Sequence, residues 1–164
     1  MKVEAIVYTS KTGHTKRYAE MLANIINIKA YSLEDAKLEL KKSIPIIYLG
    51  YIHASHINKY SYVEKQFKIC AVCGVGLCDN GTKVNEVRKA TNISSSIPLF
   101  TLQGGINKKE LKGLDKMLIS MLIKGFSKQK NRSDEDERMF ELLTNDSDYV
   151  KEENLNLVLQ WYKE

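Results

Sequence analysis

Cysteine is scarce in this chain and poorly placed for cross-linking. Three occur in 164 residues, and Cys70, Cys73 and Cys78 fall within nine positions of one another. Three thiols cannot all pair within one chain, which argues against a disulfide framework and for a reducing compartment. No apolar run approaches the roughly 20 residues that span a bilayer, and the N-terminal MKVEAIVYT lacks the shape of a secretory signal. The expected compartment is therefore the cytoplasm. No zinc-finger spacing, RNP pattern or helix-turn-helix signature appears, so a nucleic-acid partner is not expected. Internal repeats, low-complexity tracts and a clear linker are missing too. The whole chain, 1–164, is expected to fold as a single domain with a real hydrophobic core.

The bulk composition is that of a globular protein, 43% hydrophobic and 27% charged. The net charge of +5 is spread unevenly. From Leu102 to Arg132, eight Lys and Arg face two acids, a net +6; from Ser133 to Asp148, seven acids face Arg138, a net −6. Two readings stand: the blocks neutralise each other, or the basic surface meets an anionic lipid, a tetrapyrrole carboxylate or another anionic partner.

Short apolar runs alternate with helical patterns. Val3–Tyr8, Ile44–Leu49, Lys68–Val75 and Pro98–Leu102 are strand-length and rich in Ile, Val and Tyr, with Ile28–Leu33 a weaker fifth. The strongest runs are apolar throughout, as in strands covered on both faces. Helices are expected over Thr15–Ile26, Lys59–Gln66, Thr82–Asn92 and Asn154–Tyr162. This alternation predicts a doubly wound parallel sheet with helices on both faces. Nearly fifty residues, roughly 103–150, separate the last strand from the closing helix. They hold a helical stripe of Leu111, Leu114, Met117, Leu118, Met121 and Leu122, widened by Ile119 and Ile123. That insert is expected to be a packed helix covering the sheet edge; the other reading gives it to a partner, a membrane interface or a hydrophobic substrate.

Between the first strand and the first helix lies Thr9–Thr15, TSKTGHT. Backbone N–H groups at a helix N-terminus bind phosphate, hydroxyls add donors, and glycine allows close approach. The stretch is neither a Walker loop nor the GxGxxG dinucleotide fingerprint, and it lacks the Cys-x5-Arg of a phosphatase loop. A helix cap would account for Thr12 or Thr15 alone but not for the whole set, so a phosphate cradle is the expectation.

Ser10-x-Thr12-Gly13-x-Thr15 resembles the (Ser/Thr)-x-Thr-Gly-x-Thr loop with which flavodoxins hold the phosphate of FMN. His14 stands where flavodoxins usually have Asn, and Lys11, Lys16 and Arg17 make the surroundings more cationic. The resemblance implies a flavodoxin-like five-stranded sheet of order 2-1-3-4-5, with the helical insert between strand 5 and the last helix. It implies ligand loops after strands 1, 3 and 4. The second loop would be GYIHASHIN, Gly50–Asn58. The third, CGVGLCDNG, Cys73–Gly81, resembles the Phe-Gly-x-Gly-Asp turn with Gly74 and Gly76 kept, Cys73 for the aromatic and Leu77 for the acid. The implied cofactor is FMN. Ser10, Lys11, Thr12, Gly13, His14 and Thr15 would bind its phosphate, and Tyr51, Ile52, His53, Ala54, Gly74, Val75, Gly76 and Leu77 its ring. Tyr51 and His53 are the only ring-bearing side chains placed to stack, so one flavin face would stay open to an organic molecule. No metal site is expected: His53 and His56 lack a nearby carboxylate in the sequence, and Cys70 and Cys73 sit in an apolar strand.

The C-terminal third, IPLFTLQGGINKKELKGLDKMLISMLIKG with the acidic stretch and ENLNLVLQWYK, is similar to a flavodoxin-domain branch that includes the menaquinone-dependent protoporphyrinogen dehydrogenases. The chain departs from that branch at Ile52-His53-Ala54, where Ile-Tyr-Ala is common. The resemblance implies an FMN-dependent oxidoreductase whose chemistry belongs to the flavin, with no catalytic side chain assigned. Its partners would be a redox partner or a hydrophobic anionic small molecule, a quinone or a tetrapyrrole. Peripheral contact at the inner membrane face stays open. The alternatives are a non-enzymatic electron carrier and a binding protein that kept the fold without the flavin.

Overall fold

A computed structural model describes residues 2–164. Five strands run parallel in one sheet: β1 (Ala5–Thr9), β2 (Ala30–Ser32), β3 (Pro45–His53), β5 (Lys68–Gly76) and β6 (Leu99–Gln103), in the order β2-β1-β3-β5-β6. That is the expected 2-1-3-4-5 order. The short β4 (His56–Ile57) hairpins back onto the end of β3 as an antiparallel sixth member.

The strands are apolar on both sides because both sides are covered. Ile6, Ile47 and Leu49 enter one core; Ala5, Val7, Ile46 and Tyr48, their neighbours along the strands, enter the other. On the first face lie α1 (His14–Ile26), through Tyr18, Ala19 and Leu22, and the C-terminal α7 (Asn156–Lys163), through Val158, preceded by a 3-10 turn (Glu152–Leu155) that buries Leu155. On the second lie α2 (Leu33–Glu39), α3 (Tyr60–Gln66) and α4 (Val84–Thr91), through Leu33, Ala36, Tyr60, Val63 and Val87. Burying side chains such as Leu22 and Val63 completely contributes about 1.5–3 kcal/mol each.

Helix α2 was not expected, and it shortens the predicted strand Ile28–Leu33 to three residues. Its apolar face is only Leu33 and Ala36, too short to register as periodicity. Ser32 starts it by accepting a hydrogen bond from the Asp35 amide at 3.1 Å.

The insert leaves the sheet through β7 (Gly105–Ile106) and returns through β8 (Ser147–Asp148), which pair antiparallel and pinch its base. Between them are α5 (Gly113–Ser127) and α6 (Asp134–Thr144). Arg17 fixes the base to α1 by an ion pair with Asp148 at 2.6 Å. The expectation of a packed helix at the sheet edge is corrected: α5 has no buried residue. It lies across the C-terminal end of the strands, over a cavity, so its inward side chains face space rather than core. Among the described residues, no helix is long and apolar enough to cross a membrane.

Candidate functional site

The loop after β1 is built to leave donors free. Gly13 is the N-cap of α1 at φ 89°, no side chain caps the helix, and its first turn holds no acid. A left-handed backbone here favours glycine, and the space a Cβ would take is empty within 4 Å. The cap reading therefore fails for both threonines. Thr12 Oγ1 instead meets His14 Nδ1 at 3.0 Å, and Thr15 is buried. Ser10 Oγ is buried with no hydrogen-bond partner among the described residues. A buried hydroxyl in that state costs about 1–3 kcal/mol unless something binds it.

Strand β3 continues further than expected, through Gly50, Tyr51 and Ile52 to His53, so the second loop is a tight hairpin. Ala54 and Ser55 make its turn at φ 48° and 63°. Tyr48 Oη donates to Asn58 O at 2.5 Å and so accepts from Thr9 Oγ1 at 2.9 Å, tying the first two loops together. Likewise β5 runs to Gly76, so Cys73 and Gly74 are strand residues rather than loop. A Cβ on Gly74 would lie 3.0 Å from Ile52 Cδ1; the glycine lets β3 and β5 side chains pack closely beneath the site.

These ends enclose a cavity of about 150 Å³. Of the residues expected from the sequence, Lys11, Thr12, His14, Thr15, Tyr51, Ile52, His53, Val75, Gly76 and Leu77 line it together. Ser10 and Gly13 sit in the loop behind that wall, and Gly74 lies below it in β5. Ala54 lines an adjoining cavity of about 480 Å³ instead, which shares Ile52, His53, Gly76, Leu77 and Ile119 with the first and is walled by Leu102, Leu122, Phe126 and Met139.

The residues that sequence reasoning missed come from the turn after β6 and from the insert: Gly104, Asn107 and Asp115; Leu118 and Ile119 of the expected apolar stripe line the cavity beside them. Gly104 donates to Gly76 O at 2.7 Å, with room for little more than hydrogen, since a Cβ would meet Val75 Cγ1 at 2.9 Å. Asp115 is an acid facing inward from an apolar stripe. Its carboxylate pairs with Lys11 and lies 3.6 Å from His53 Nε2, joining α5 to the first and second loops. The only sequence signal for it was that break in the stripe.

Beneath the cavity, the Tyr18 hydroxyl donates to Gln103 O at 2.5 Å and accepts from Asn154 Nδ2 at 2.5 Å. Asn154 also donates to Tyr149 O at 2.9 Å, and Gln103 Nε2 to Leu77 O at 3.2 Å. This network holds α1, the end of β6, the third loop and the insert's return strand in one arrangement. Burial pushes the His14 imidazole below its ordinary value; Arg17 adds to that and Asp148 opposes it. Burial also raises the thiols of Cys70 and Cys78, and that of Cys73 to about 12; Cys70 and Cys73 pack in the core, while Cys78 lines the second cavity.

A family model for the flavodoxin domain matches residues 5–134. No curated protein matches the chain. With the sheet order, the uncapped glycine turn and that match over well more than half its length, the chain belongs to the flavodoxin-domain family, whose members typically bind FMN.

Proposed function

We propose that this chain is an FMN-binding redox flavoprotein, and that it works as an oxidoreductase resembling the protoporphyrinogen dehydrogenases. The observation that carries the cofactor reading is Ser10 Oγ, buried and unpartnered beside an uncapped, acid-free helix N-terminus. A phosphate dianion fits that donor set: the hydroxyls of Ser10, Thr12 and Thr15 and the first amides of α1 favour negative charge, with Lys11 beside them held by Asp115. Tyr51, Ile52, His53, Val75, Gly76 and Leu77 would hold the ring. When bound, FMN supplies reversible transfer of hydride or single electrons.

The protein's own part is binding, orientation and exclusion of water. The Tyr18 network fixes the loops, and Leu118 and Ile119 of α5 cover the cavity from outside. The enzyme reading is supported by the adjoining cavity, lined mostly by apolar side chains with Lys83, Glu86, Glu135 and Asp136 also on its wall, which would seat a largely hydrophobic substrate against the ring's edge. A quinone would then act as electron acceptor.

Reconstitution with FMN tests the first step: a yellow protein with quenched flavin fluorescence is expected, and Ser10→Ala with Thr12→Ala should weaken binding strongly. No binding to FMN removes the proposal. Anaerobic mixing of the oxidised protein with protoporphyrinogen, and of the reduced protein with a menaquinone analogue, tests the second. Turnover no faster than with free FMN returns the protein to the carrier reading.

A further inference from the structure

Helix α5 has two faces. One, with Asp115, Leu118 and Ile119, closes the cavity. The other carries Leu114, Met117 and Met121, which are 77%, 60% and 63% exposed. Spacings of three, four, three and four residues continue the same line to Lys124 and Lys128. Large apolar side chains concentrated in an exposed stripe mark an interaction surface.

The charges around the stripe select the partner. Of the eight cations between 102 and 132, only Arg132 pairs with a carboxylate of the acidic block among the described residues. Elsewhere on α6, Glu135 pairs with Lys83 and Arg138 with Asp79. Lys112, Lys116, Lys124 and Lys128 have no carboxylate within 4.0 Å among the described residues, so the two blocks do not neutralise each other here. Protein interfaces are depleted of lysine at their centres, whereas lysines in line with an apolar stripe suit a bilayer surface, with stems along the acyl boundary and ammonium groups among anionic headgroups.

We infer that α5 docks this protein on anionic lipid bilayers through Leu114, Met117 and Met121, with Lys124 and Lys128 on the headgroups. The helix lies in the interface plane without crossing it, and the cavity beneath it opens close to the membrane. The inference does not depend on FMN.

Co-sedimentation of the full chain with vesicles tests it, with and without FMN. Vesicles of phosphatidylcholine with 30% phosphatidylglycerol should bind the protein, and pure phosphatidylcholine should not. Lys124→Gln with Lys128→Gln should weaken binding about thirtyfold, at roughly fivefold per lysine in low salt. Met117→Ser with Met121→Ser should weaken it about tenfold at unchanged charge. All four positions are exposed, so circular dichroism should be that of the parent. Absence of binding to the anionic vesicles overturns the inference, as does binding that both pairs of substitutions leave unchanged.

Discussion

Ser10 carries an unsatisfied buried oxygen in a fold that satisfies nearly all its others. If the hydroxyl serves only a ligand, its removal should not harm the empty protein. Ser10→Ala is expected to leave the urea-unfolding free energy equal or about 1 kcal/mol higher, while FMN affinity falls about tenfold, the contribution of one hydrogen bond to a charged group. Lower stability with unchanged affinity would place the phosphate elsewhere. His14, two residues before the first Lys-Arg pair, makes a pH prediction. Burial holds its folded value below the unfolded one of about 6.5. The unfolded chain therefore binds more protons across that window, so the stability contribution is complete above about pH 6.5 and declines as the pH falls below it. The urea midpoint should be lower at pH 5.5 than at pH 7.5, and His14→Asn should flatten that difference; an equal slope in both proteins assigns the effect to other groups. At this scale the sequence showed the loop's hydroxyls and glycine but not Tyr18 or Asn154. Their burial depends on partners 85 and 136 positions away along the chain, and no local pattern carries that.

Among the elements, the strands and the helices α1, α3, α4, α5 and α7 were legible, because a period of two or of about 3.6 survives small errors at the ends. What was not legible had a short pattern or a tertiary cause. Helices α2 and α6 begin with Ser-x-x-Asp caps, Ser32 with Asp35 and Ser133 with Asp136, signals that outlast their weak apolar faces. The stripe of α5 was visible, but the cavity that faces it was not, since that cavity exists only where three strand ends converge. Asp115 is the tie between α5 and the loops, and it is shielded from water on most of its surface. Asp115→Asn keeps the shape and removes the charge. Amide exchange across residues 113–127 should then rise about fivefold, the effect of losing about 1 kcal/mol from a partly exposed ion pair. FMN should dissociate faster in the same variant. Exchange unchanged in the FMN-free protein would mean that apolar contacts alone hold the helix down.

For the whole molecule, charge is arranged more informatively than its total. The +5 balance and pI near 9.0 describe the sum, yet at the loop after β1 Lys11 is paired with Asp115, Lys16 with Glu20 and Arg17 with Asp148, while the ammonium groups of Lys108, Lys109 and Lys112 at the start of the insert have no carboxylate within 4.0 Å among the described residues. Of the acids of α6, Glu135 pairs with Lys83 at the start of α4 and Glu137 with Arg132, so neither is spent on those lysines. A phosphate-bearing ligand approaching the strand ends should be drawn in from beyond contact distance, and the attraction should fade as salt shortens the Debye length from about 30 Å at 0.01 M to about 8 Å at 0.15 M. Stopped-flow quenching of flavin fluorescence should show FMN association slowing about threefold or more across that range, while riboflavin, which has the ring without the phosphate, should be nearly insensitive. The contrast between the two ligands isolates the phosphate: equal salt dependence would mean the basic cluster acts on the ring end or not at all.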